Sequence, residues 1–98
     1  MESIYETCLA HDLTARGHKV ARQAAVPVVY ADMKLDGGFR IDLLVDDQVI
    51  VEVKAAERPN PLFEAQVLTY MKLTGLRLGL IVNFNVARIK DGIRRLAR

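Results

Sequence analysis

The sequence predicts an α/β protein in which a mixed β-sheet is flanked by helices. Two segments carry helical spacing of apolar residues together with start or stop signals, one over residues 2–16 and one from Pro61 to about Thr74. Extended segments joined by tight turns lie between them, the order expected of antiparallel strands. Leu76 to Phe84 then forms a nearly continuous apolar run, as a strand covered on both faces requires. The chain of 98 residues has room for one core and not two, so a single domain over 1–98 is expected.

Composition narrows the class. The chain is 51% hydrophobic and 27% charged, the balance of a folded globular protein. Cys8 is the only cysteine, which excludes an intrachain disulfide and suits a reducing compartment. No apolar run approaches a membrane span and no signal-peptide pattern precedes the first charges, so a soluble cytoplasmic protein with no membrane partner is expected. The net charge of +2 is uninformative, but its distribution is uneven. Arg88, Lys90, Arg94, Arg95 and Arg98 stand near the C-terminus against Asp91 alone. A basic end solvates a terminal segment or attracts phosphate, and composition by itself favours the former.

The first helix places Ile4, Tyr5, Leu9 and Leu13 on one face, with Cys8 expected to pack beside them, and Gly17 follows as a stop. Lys19 to Tyr30 is extended, and Pro27 argues for an edge strand. Ala31 to Gly38 is expected to hold a turn, with Gly37-Gly38 leading into a strand at Phe39–Val45. Asp46-Asp47-Gln48 turns the chain into Val49–Ala55. Asn60 and Pro61 supply an N-cap and a first-position proline for the second helix, and Gly75 closes it. Residues 87–96 read equally as a last strand or a short helix. His11 and His18, seven apart with no matching cysteine or histidine pair, do not make a zinc site. Gly75 and Gly79 read as turn and packing positions rather than a phosphate loop.

The strand pair around Asp46 has two possible registers. A two-residue loop would pair Asp42 with Val51 and set a carboxylate in an apolar row. A three-residue loop pairs Val45 with Val49, Leu43 with Val51 and Ile41 with Val53, which makes one face wholly apolar. The other face then reads Leu44 opposite Ile50, Asp42 opposite Glu52, and Arg40 opposite Lys54. Hydrophobic pattern fixes register, so the second pairing is expected. It brings two carboxylates to Cβ separations of about 5 Å, where like charges destabilise a sheet. At an effective dielectric near 20, two unit charges at that distance repel by roughly 3 kcal/mol. A shared proton, a neighbouring cation or a bound metal must compensate, and hard oxygen ligands suit Mg²⁺ or Mn²⁺. Spacing alone leaves a metal site and a solvated sheet face both open.

Three motifs add to that reading. Gly38-Phe39-Arg40-Ile41-Asp42 fits G-hydrophobic-x-x-D, Glu52-Val53-Lys54 fits E-hydrophobic-K, and Gln66 to Tyr70 fits Q-x-x-x-Y on the following helix. In this order they resemble the PD-(D/E)XK nuclease superfamily, especially its RecB-like exonuclease branch. Glu2-Ser3-Ile4-Tyr5 resembles the end of the G-x-x-E-x-x-Y pattern that names a family of small proteins in this superfamily. Its glycine would precede Met1, so the chain is expected to start late. Ile41 stands where the superfamily usually has a proline. The likeness covers nearly the whole chain.

The resemblance implies a restriction-endonuclease-like α-β-β-β-α-β core. It also implies Asp42 and Glu52 as ligands of Mg²⁺ or Mn²⁺, with the Val53 carbonyl as a third. Lys54 would orient or deprotonate the attacking water, or stabilise phosphorane charge. Gln66 and Tyr70, four apart, share a helix face that can look onto the active face. For Tyr70 a core position is the competing reading, and for Gln66 an exposed helix surface. Glu2 is a candidate further acid, although a helix N-terminus favours an acid in any case.

Two functions compete. One is a metal-dependent nuclease acting on DNA more than RNA. It would grip the backbone through Arg40 and Lys54 with Arg88, Lys90, Arg94 and Arg95, and it would bind more weakly as salt rises. With few aromatics outside apolar runs, no base-reading surface is expected. The other is a catalytically silent module that binds nucleic acid or protein, which the small size favours. Free edge strands and small size also suit a homodimer or a larger complex.

Overall fold

The computed structural model describes residues 1–98. The chain runs α1 (Glu2–Ala15), β1 (Val20–Tyr30), β2 (Met33–Val45), β3 (Val49–Lys54), α2 (Pro61–Thr74), β4 (Leu78–Asn83), a 3₁₀ turn (Ile89–Gly92) and β5 (Ile93–Ala97). The five strands form one sheet in the order β1-β2-β3-β4-β5. Only β3 and β4, joined through α2, run parallel; the other neighbours are antiparallel. This is the expected mixed α/β sheet with flanking helices, consistent with a restriction-endonuclease-like core. No helix is long and apolar enough to cross a membrane.

The helices cover opposite faces. On one side Val67, Tyr70 and Met71 of α2 pack with Val26, Ile41, Ile50 and Ile81. On the other, Ala10 of α1 packs with Leu43, Val45, Val51 and Val82, with Leu9 and Leu13 at the margin. The alternation of Ile81 and Val82 between these clusters shows why β4 reads as a continuous apolar run: both of its faces are covered.

α2 begins and ends where its caps place it. The Asn60 side chain accepts from Leu62 N at 2.9 Å, and Gly75 takes a left-handed φ of 75°. A Cβ added at Gly79 would lie 2.5 Å from Val67 Cγ1 and 3.1 Å from Met71 Sδ. Glycine there lets α2 seat directly on β4.

Three expectations are corrected. First, the packed face of α1 is centred on Glu6, Leu9, Ala10 and Leu13, while Ile4 and Cys8 are exposed. The i, i+3, i+4, i+7 series from Glu6 wins because Glu6 finds polar partners inside. Tyr5 is held separately by stacking on Phe84, centroids 4.6 Å apart.

Second, β2 starts at Met33, not Phe39. The turn is the pair Ala31-Asp32, both left-handed, as a two-residue hairpin demands. Gly37-Gly38 serves a register shift within the hairpin instead. Asp36 Oδ1 accepts from Gly38 N at 2.9 Å, and the Phe39 ring lies close over Gly37. The resulting arm leaves Val29, Tyr30 and Met33 exposed.

Third, the pairing of β2 with β3 stops sooner than expected. Val45↔Val49, Leu44↔Ile50 and Leu43↔Val51 form as the hydrophobic pattern requires. Asp42–Glu52, Ile41–Val53 and Arg40–Lys54 do not form ladder pairs, while Ile41 and Arg40 keep Ala24 and Ala25 and Val53 and Lys54 keep Val82 and Asn83. The C-terminal segment combines both open readings, a 3₁₀ turn followed by a strand.

Candidate active site

The site is a fork in the sheet. Past Leu43 and Val51 each strand stays with its outer neighbour, so backbone donors that would have bonded across the gap need other acceptors. The two carboxylates supply them. Glu52 Oε1 accepts from Asp42 N at 3.2 Å, and Asp42 Oδ2 accepts from Val53 N at 2.9 Å.

Glu52 is 2% exposed. Burial first, and then the charge of Asp42 and a hydrogen bond to it, push the Glu52 carboxyl up to about 8. A carboxyl raised this far keeps its proton near neutral pH, which is one of the three ways to relieve two facing acids.

Lys54 follows Glu52 by two residues on the face toward α2. Its Nζ donates to Gln66 Oε1 at 3.1 Å and lies 4.7 Å from the Phe63 ring centroid. The Gln66 amide in turn donates to Tyr70 Oη at 3.1 Å. Gln66 and Tyr70 therefore share a helix face toward the fork, as their spacing requires. Tyr70 is also a core residue, in edge contact with Phe39 at 6.0 Å, so its two readings coincide. Burial first, then the Glu52 charge, raises its pKa, which keeps the phenol protonated.

Glu2 reaches the backbone just past Lys54. Its Oε2 accepts from Ala55 N at 3.1 Å, which ties the start of α1 to the end of β3. The acid that α1 buries is Glu6. It accepts from Arg22 at 2.8 Å and from Gln23 Nε2 at 2.6 Å, and the same Gln23 nitrogen lies 3.3 Å from Asp42 Oδ1. Sequence reasoning missed Glu6, Arg22 and Gln23. The readable signal was an acid in the middle of a helix's apolar series.

The basic residues do not form one patch. Arg40 is bound to Asp36 at 3.2 Å, and Arg94 Nε to Glu64 Oε1 at 2.6 Å. Arg94 and Arg95 alternate along β5 and so face opposite sides of the sheet. Arg88 and Lys90 belong to the 3₁₀ segment, and Arg98 donates to the Met71 carbonyl at the end of α2. A cleft of about 380 Å³ is lined by Asn60, Phe63, Glu64, Asn83, Asp91 and Arg94, and Lys54, Asp42 and Glu52 are not part of its wall.

No group of three histidine, cysteine or acidic side chains gathers anywhere in the chain. Two carboxylates still fit Mg²⁺ or Mn²⁺, which are bound through one or two carboxylates and otherwise keep water or substrate oxygens.

A sequence model of the PD-(D/E)XK nuclease superfamily matches residues 1–96. No curated protein and no solved structure gives a significant match.

Proposed function

This chain belongs to the PD-(D/E)XK nuclease superfamily, whose members generally use divalent metals on nucleic acid, and from that premise we propose that it hydrolyses phosphodiester bonds at the Asp42–Glu52 fork. The observation that carries the proposal is a pair of carboxylates reaching across two parting strands, buried Glu52 accepting from Asp42 N and Asp42 accepting from Val53 N. Asp42, Glu52 and the Val53 carbonyl would hold Mg²⁺ or Mn²⁺. Such an ion, when bound, supplies charge stabilisation at the scissile phosphate and a lowered pKa for the attacking water.

The remaining work falls to the chain. Gln66 restrains the Lys54 ammonium, so it meets the water or the developing phosphorane without searching rotamers. Tyr70 fixes the Gln66 amide by accepting its N–H, which leaves the Gln66 oxygen for Lys54. Arg88, Lys90 and Arg95 are offered as backbone contacts, joined by Arg40 and Arg94 once a phosphate replaces their carboxylate partners. DNA is the preferred substrate in this reading. The RecB-like branch and the GxxExxY family are the finer placement that the motifs support. Glu2 serves here as a brace for the end of β3.

A second reading is favoured by one observation: Arg40 and Arg94 are already neutralised by Asp36 and Glu64. On that reading the fold is retained as a silent binding module. Incubation with linear, nicked and single-stranded DNA and with RNA, with and without Mg²⁺ or Mn²⁺, separates the two. Metal-dependent cleavage lost in Asp42→Ala and Lys54→Ala supports the nuclease. Cleavage that survives in either variant removes it. Absence of both cleavage and metal binding in the wild type supports the module. Self-association stands at the same level, and light scattering across a concentration series decides it.

A further inference from the structure

The β1–β2 ladder contains one gap within its first register. Arg22 pairs with Leu43 and Ala24 with Ile41, but between them Gln23 and Asp42 do not pair. Gln23 there has a φ of 50°, a left-handed conformation that glutamine rarely adopts. Strain of this kind persists only where the surroundings enforce it. The enforcing contacts are polar. The Gln23 amide nitrogen donates to Glu6 Oε1 at 2.6 Å and faces Asp42 Oδ1 at 3.3 Å. Glu6 is nearly buried on the inner face of α1, and its other oxygen takes Arg22, whose guanidinium also reaches Thr7 Oγ1 at 2.9 Å.

We infer that Arg22, Glu6 and Gln23 form a positioning chain that orients Asp42 from α1, outside the three motifs. An amide presents donors on nitrogen and an acceptor on oxygen, so its sense must be set by a neighbour. The Glu6 carboxylate, held by Arg22, accepts only, which turns the nitrogen of Gln23 toward both acids. Asp42 Oδ1 then meets the Gln23 nitrogen while Oδ2 holds the Val53 N–H. With both oxygens held, the carboxylate plane is fixed at the fork. α1 thus contributes through Glu6, and the left-handed turn at Gln23 is the cost of reaching Asp42.

The inference rests on the proposed metal site, and the test separates the two. Mn²⁺ affinity is measured by calorimetry on the intact chain for wild type, Asp42→Ala, Gln23→Gly, Gln23→Leu and Glu6→Gln, alongside urea stability. Outer-shell partners of a metal ligand are worth 10–100-fold in affinity, so Mn²⁺ binding should weaken at least about tenfold in all three positioning variants. Glycine accepts the left-handed backbone, so Gln23→Gly should keep its stability while losing affinity. A merely structural role would move the two together. Wild-type affinity retained in Gln23→Gly and Gln23→Leu, with binding still lost in Asp42→Ala, overturns the positioning chain and leaves the metal site standing. Absence of Mn²⁺ binding in the wild type overturns both.

Discussion

Replacing Glu52 by glutamine isolates the proton held in the strand fork. Glutamine is close in shape to a protonated glutamate: its oxygen can accept from Asp42 N and its nitrogen can donate to the Asp42 carboxylate. The two chains should therefore differ only where Glu52 would ionise. Below pH 4.5 the carboxyl is protonated whether folded or unfolded and adds no pH dependence. Between 4.5 and about 8 the unfolded chain loses the proton and the folded chain keeps it, so stability falls as pH rises. The slope is about 1.4 kcal/mol per pH unit, and the full effect reaches up to about 5 kcal/mol above pH 8. That is an upper bound, since Lys54 and entering water soften it, but domains of this kind have only about 5–15 kcal/mol in total. Urea denaturation of both chains at intervals from pH 4 to 9, without divalent metal, reads the difference directly. Glu52→Gln should gain on the wild type steadily above pH 4.5 and level off past pH 8. Parallel stability curves across that range would refute the shared proton.

Other consequences are independent of it or follow from the proposed site. Mn²⁺ binding at pH 7 should release about one proton per ion, because the ion displaces the one on Glu52. Calorimetry in buffers of different ionisation enthalpy measures that release, and affinity should climb with pH until about 8. Gly79→Ala should destabilise the fold by about 1–3 kcal/mol through its clash with Val67 and Met71. Pairing it with Val67→Ala should recover part of that loss in denaturant titrations. Asn60→Ala removes the α2 cap and should cost about 1 kcal/mol by the same measurement.

The parts of the fold legible in the sequence are those fixed by local chemistry or by face. Asn60-Pro61 and Gly75 bound α2 because each meets a backbone need at a helix end. The β2–β3 register followed from the requirement that Leu43, Val45 and Val51 share an apolar face. The same register sets Asp42 and Glu52 side by side, and each carboxylate does reach the other's strand, though without a ladder pair. What stayed hidden depends on long-range choices. Gly37-Gly38 carries the same signal for a turn and for a bulge, and only the pairing of Val28 with Leu35 decides between them. The early parting of β2 and β3 leaves no mark in the local pattern, which would carry the same register on to Arg40 and Lys54. Glu6 was visible in principle, as an acid in an apolar helical series. Gln23 was not, because its role depends on a left-handed backbone that a glutamine does not announce. The C-terminal arginines looked like one basic end, and the alternation of β5 divides them between two faces.

The most direct test of the central claim is anomalous diffraction from crystals of the intact chain soaked in Mn²⁺. The account predicts one ion in the fork, ligated by oxygens of both Asp42 and Glu52, and absent from crystals of Asp42→Ala. An ion bound only elsewhere, or a fork that stays empty at Mn²⁺ concentrations supporting cleavage, would contradict it.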